Sequence, residues 1–110
     1  MLTTSTTHQQ GMFIVHLAGR IDAAAAKDLE QQCLQWIDSG EKQFIFDFSA
    51  VDYISSAALR VFLLVAKRLN SVDGKLRLCA LNSTLRDVFD ISGFSKLFTI
   101  TANLQDALTA

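Results

Sequence analysis

Proline is absent from this chain, and glycine is scarce at five residues in 110. That leaves no material for a flexible or polyproline linker, and no shift in composition divides the sequence. Residues 1–110 therefore read as one domain, long enough to bury a core without staples. Cysteine is nearly missing as well. Cys33 and Cys79 lie far apart, lack metal-ligand spacing and fall within apolar patterns. They read as reduced core thiols, which excludes a disulfide scaffold and a structural metal centre. Neither sign of charge dominates: ten basic against eleven acidic residues leave a net charge of -1, so nothing attracts nucleic acid or an anionic membrane in bulk. No apolar run approaches the roughly 18 residues of a membrane span. The opening MLTTSTTHQQG has neither the basic start nor the apolar stretch of a secretory signal. The expectation is a soluble, cytoplasmic protein that needs no cofactor and no metal.

What the chain does have is hydrophobic patterning, with 50% of its residues hydrophobic and 19% charged. LTTSTTH is β-prone and barely amphipathic, which suits an edge strand. MFIVHLAG alternates Phe13, Val15 and Leu17 against Met12, Ile14 and His16, and its two apolar faces suit an inner strand. Gly19 to Asp22 read as a turn. A helix follows from about Ala23 to Ser39, with Ala26, Leu29, Cys33, Trp36 and Ile37 at helical spacing, Asp22 placed to cap it and Gly40 to end it. QFIFDFS is a buried strand near the middle of the sheet. A helix spans about Ser55 to Ser71, LRLCAL is another strand, and NSTLRDVFDISG a capped helix with Leu85, Val88 and Phe89 inward. LFTI and ANLQDALTA complete the order ββαβαβαβα. Strands separated by helices imply crossovers, hence an α/β fold with a mostly parallel central sheet, one antiparallel start, and covering helices.

Two serines, Ser55 and Ser56, stand where AVDYISSAALRVFLLVAKRL passes from strand and aspartate-bearing turn to helix. A serine before a helix accepts a hydrogen bond from the first turn, worth about 0.5–2 kcal/mol. One hydroxyl suffices for that, and the other is left at the helix mouth. A nucleophile is poorly served here. YISSAAL lacks the flanking glycines of G-x-S-x-G, and the only histidines, His8 and His16, both precede the serines. The reading is therefore a binding protein without catalytic residues. A phosphoryl group, by contrast, adds about -1.5 to -2 charges, which the positive end of a helix tolerates. It would turn a neutral patch anionic without unfolding anything. On the same helix Leu59, Phe62, Leu63 and Ala66 form a face for the sheet. Ala57, Val61 and Leu64 fall opposite, with Arg68 beside them. Either a neighbouring helix covers Val61 and Leu64, or they and Arg68 await a partner.

LAGRID, FDFSAVDYISSAALRVFLLVAKRL and LCALNSTLRDVFDISGFSKLFTI together resemble the STAS domain of bacterial anti-sigma factor antagonists, over essentially the whole chain. The resemblance implies an α/β domain without catalytic activity of its own. It implies that the unphosphorylated form binds an anti-sigma factor, usually a serine kinase of the histidine-kinase-like ATPase fold, and so frees a sigma factor. Phosphorylation by that kinase releases the antagonist, and a PP2C-type phosphatase resets it. Matching YISSAAL to the family pattern puts the phosphoacceptor at Ser56 and puts Ser55 where many members carry aspartate. Asp22, in GRID, matches an acidic position beside the acceptor.

Two departures stand out. Ser55 removes a charge next to the acceptor, and Ala58 replaces a usual glycine before Leu59, which suits a helical backbone. Ala57 and Ala58 form the small pair that follows the acceptor. STAS domains also act as scaffolds or regulatory subunits in lipid-transport or signalling complexes without a sigma cycle. An acceptor hydroxyl at position 56 speaks for the switch.

Overall fold

Strict alternation in the apolar strands decides which face each helix covers. A computed structural model describes residues 1–110 and shows five strands, β1 (Leu2–Gln9), β2 (Met12–Ile21), β3 (Gln43–Ile54), β4 (Lys75–Cys79) and β5 (Thr99–Thr101). The helices are α1 (Ala23–Asp38), α2 (Ser56–Asn70), α3 (Ser83–Ile91) and α4 (Leu104–Thr109), with one 3-10 turn at Phe94–Lys96. The sheet order is β1-β2-β3-β4-β5. β1 runs antiparallel to β2, and every other pair is parallel. The order ββαβαβαβα, the α/β class and the central place of the strand bearing Phe44 to Phe48 are as the sequence predicts.

Phe13, Val15 and Leu17 of β2 and Phe44, Phe46 and Phe48 of β3 join the main core with residues of α1, α2 and α3. Met12, Ile14, Ile45 and Cys79 point the other way and meet Ala107 of α4. Three helices thus cover one face and the short α4 part of the other. The Phe62 ring lies 5.1 Å from that of Phe46 and 5.3 Å from that of Phe48, locking α2 to the central strand.

The sequence reading misses in three places. The turn expected at Gly19–Asp22 is strand: β2 continues to Ile21, and Gly19, at φ 104°, sits beside an irregularity in the pairing. β3 likewise continues through the stretch expected to turn, to Ile54. Across two register shifts β3 carries two more residues than β2, one at each shift, so the strands stay paired while their alternation jumps. The third miss is the phase of α2. Its buried residues are Ala58, Leu59, Val61, Phe62, Val65 and Leu69, whereas Leu63 and Ala66 are half-buried. Val61, expected opposite the sheet, is 5% exposed because α1 packs beside α2 and closes over it.

On the face away from α1 and α2, His16 Nδ1 lies 2.8 Å from Asp47 Oδ2 and its Nε2 3.1 Å from the Thr7 hydroxyl. His16 thus bridges Asp47 and Thr7 through its two ring nitrogens. Burial alone would raise the Asp47 carboxyl. The Ser49 N–H, donating at 3.0 Å, and His16 outweigh it and hold the group below the ordinary carboxylate range. Both cysteines are free and buried. Burial pushes each thiol up to about 12, with Glu30 adding to the effect at Cys33 and Asp47 at Cys79.

Two measurements test these packing and charge assignments. Phe62→Ala should lower unfolding free energy by about 3–5 kcal/mol in a urea titration, because the cavity opens in an otherwise filled aromatic contact. A loss under about 1 kcal/mol would show that the core relaxes around it. For Asp47 the folded group lies below its unfolded value of about 3.9. Its contribution is therefore complete above that value and lost as pH falls through the folded one. Asp47→Asn should cost about 1 kcal/mol at pH 7, with the gap to the parent narrowing as pH falls below about 3.9. A gap independent of pH would refute the assignment.

Candidate functional site

Helices α1 and α2 start side by side because β2 and β3 end on the same rung. Ile21 pairs with Ile54, and the Ser55 N–H donates to the Ile21 carbonyl at 2.9 Å. Asp22 and Ser55, the next residues, are the two N-caps. Asp22 Oδ1 accepts from the Ala25 N–H at 2.9 Å and Ser55 Oγ from the Ala58 N–H at 3.2 Å. Both caps have extended backbones, which fits short polar residues able to reach an orphan donor three positions on.

The two hydroxyls are therefore unequal. Ser55 is half-buried and its oxygen is committed to the cap, while Ser56 is exposed on the first residue of α2, its hydroxyl in no intramolecular hydrogen bond. Behind it, Ala57 is half-buried and Ala58 fully buried in the core. A methyl fits at Ala58 because the residue is helical, as its sequence suggests. Each histidine has a carboxylate of its own, His8 with Glu41 at 2.8 Å and His16 with Asp47.

Running from the serines along the α1/α2 seam is a groove of about 410 Å3. Ala23, Ala26, Ala57, Val61 and Leu64 supply its apolar lining, and Lys27, Arg60 and Lys67 with the lone acid Glu30 its polar rim. The partner-binding candidates separate here. Leu64 is 42% exposed, whereas Val61 is buried and serves as groove floor rather than free surface. Arg68 donates to Asp38 of α1 at 3.3 Å, with both side chains largely exposed. Such a pair holds little energy and opens readily.

Sequence reasoning overlooks Arg20, whose guanidinium carbon lies 4.3 Å from the centre of the Tyr53 ring. The two residues pair across β2 and β3 one rung before Ile21 and Ile54. They form an exposed cation–π contact at the threshold of the caps. Both stand inside motifs that draw attention, GRID and DYISS, but to Asp22 and the serines. The signal was an aromatic and a cation at matching distances from the two caps.

Comparison with known proteins agrees with this geometry. The STAS domain profile matches residues 3–107. BtrV of Bordetella bronchiseptica, named as an anti-sigma factor antagonist, is 46% identical over 100 residues, covering 91% of this chain and 85% of its own length. An anti-sigma factor antagonist from Mycobacterium paratuberculosis superposes with a TM-score of 0.89 at 27% identity, over 99% of this chain and 92% of that one. The fold is shared also with the Bacillus cell fate determinant SpoIIAA in its phosphorylated form, with a TM-score of 0.76 at 20% identity over 97% of both chains. A profile match over nearly the full length, with the serine pair at the mouth of α2, places the chain in the STAS domain family, among the anti-sigma factor antagonists.

Proposed function

We propose that this protein is a partner-switching antagonist whose state is written on Ser56. Unphosphorylated, it binds an anti-sigma factor that is itself a serine kinase of the histidine-kinase-like ATPase class, and the sigma factor is freed. Phosphoryl transfer to Ser56 ends the complex, and a PP2C-type phosphatase restores it. One observation carries the reading: Ser55 holds the cap, so the Ser56 hydroxyl is exposed and uncommitted. The name of BtrV and its 46% identity support the same role. Binding is favoured over hydrolysis because neither histidine is hydrogen-bonded to a serine of the pair: His8 meets Glu41, and His16 meets Asp47 and Thr7.

The chemistry of the switch follows from position. A phosphate at the start of α2 meets free N–H groups and the positive end of the helix, so the fold accommodates it. The docking surface changes instead. A partner fitted to the unmodified, partly apolar mouth must now desolvate added negative charge. Intact-mass and phosphopeptide analysis after incubation with ATP and the host's serine kinases should place one phosphate on Ser56. Modification of Ser55 or of a threonine in β1 would overturn the proposal. Absence of modification, with binding to some other assembly, would favour a scaffold role.

Two variants separate surface charge from unfolding. Ser56→Ala should stay folded, lose under about 1 kcal/mol because Ser55 retains the cap, bind the kinase, and resist release by ATP. A folded Ser56→Ala protein that cannot bind would contradict the switch. Ser56→Asp should weaken binding about tenfold or more, a change of roughly 1.4 kcal/mol. Its melting temperature should move only slightly, since a carboxylate there is favoured by about 0.3–1 kcal/mol. A fall of more than about 10 °C, well beyond what 1 kcal/mol produces in a domain of this size, would mean that the charge acts by local unfolding.

A further inference from the structure

A phosphate on Ser56 would arrive one helical turn before Arg60. At a rise of about 1.5 Å per residue the two positions lie about 6 Å apart along α2, on one face of it. Side chains on a helix lean toward its N-terminus, so the side chain of Arg60 is directed back toward position 56. The ion pairs of the structure are His8–Glu41, His16–Asp47, Arg68–Asp38 and Arg86–Asp90, and Arg60 belongs to none of them. It is exposed on the rim of the α1/α2 groove, with Lys27, Lys67 and the single acid Glu30.

We propose that Arg60 is the internal receiver of the phosphoryl group on Ser56, so that modification also withdraws one cation from the groove. The inference rests on the reading of Ser56 as phosphoacceptor. The planar guanidinium matches phosphate oxygens two at a time, which an ammonium cannot do. Lys67 is eleven residues beyond Ser56, about 16 Å along the axis, and is too far to compete. Lys27, on α1, shares the groove and is the rival cation. Before modification Arg60 is available to an acidic group of the partner. Afterwards it is neutralised and drawn across the mouth of the groove beside Ala57. Phosphorylation thus adds repulsion and deletes an attraction in one step, with no change of fold.

The test uses the full chain with phosphoserine genetically encoded at position 56, so that no kinase is needed. The second ionisation of the phosphate, ordinarily near a pKa of about 6, is followed by phosphorus NMR against pH. It is compared in the parent and in Arg60→Gln, Arg60→Lys, Lys67→Gln and Lys27→Gln. Arg60→Gln should raise that pKa by about 0.3 units or more, because the dianion loses its partner. Arg60→Lys should fall between, and the two lysine variants should stay within about 0.1 unit of the parent. An Arg60→Gln titration that coincides with the parent overturns the proposal. So does a shift in either lysine variant as large as that of Arg60→Gln, which would signal a diffuse field. Melting curves confirm that each variant is folded, and should Arg60→Gln fail to fold, the Arg60→Lys titration decides alone. Mapping of the kinase's phosphate to another residue would refute the Ser56 switch yet leave this titration standing. An unmoved titration would refute the role of Arg60 and leave the switch intact.

Discussion

Phe44, Phe46 and Phe48 project from one face of the central strand. They meet Phe13 and Trp36 on one side and Phe62, Phe89 and, through Phe89, Phe98 on the other. Each such contact adds about 0.5–1.5 kcal/mol to the burial of the rings. Collectively they forbid any other register for β3. A slip of one residue would carry Ile45 and Asp47 into the core and turn the phenylalanines to the side shared with His16. The position of the serine pair follows from this. With β3 fixed, Ile54 must lie beside Ile21, and the chain leaves the sheet at Ser55 and Asp22 together.

Burial explains what could be read in the chain beforehand. Period-2 alternation in β2 and β3, helical spacing in α1, and polar residues ahead of each helix all act through neighbours in sequence. They yielded the element order and the caps. The failures lie where a contact distant in sequence decides. Nothing near Gly19 reveals that β3 is long enough to keep β2 paired past a bulge. Whether Val61 is covered stayed open because a wheel drawn on α2 alone shows one packing partner, and α2 has two, the sheet and α1. Arg20 and Tyr53 were missed for the same reason, since their meeting depends on a cross-strand register that no single segment contains.

The serine pair solves a conflict between two demands on one position. A helix mouth in a regulated surface needs a capping oxygen that stays put and a hydroxyl that a second protein can reach. Given to one residue, modification would remove the cap it depends upon. Here Ser55 supplies the cap and the Ser56 hydroxyl is exposed and uncommitted, with a small residue, Ala57, beside it. An aspartate at position 55, which the family resemblance implies for many members, would cap equally well. It would also place a fixed negative charge beside position 56, which serine avoids.

The two buried thiols bear on how such a molecule can be studied and where it can work. A thiol held near 12 is almost wholly protonated at neutral pH, and the thiolate is the form that alkylating reagents, peroxide and disulfides attack. Cys33 and Cys79 are therefore chemically silent in the folded state. Oxidants that act on thiolates find little of that form here. For the experimenter the native chain is already a blank: a cysteine placed on the groove rim would be its sole reactive thiol, ready to carry a fluorophore without prior removal of the natural pair.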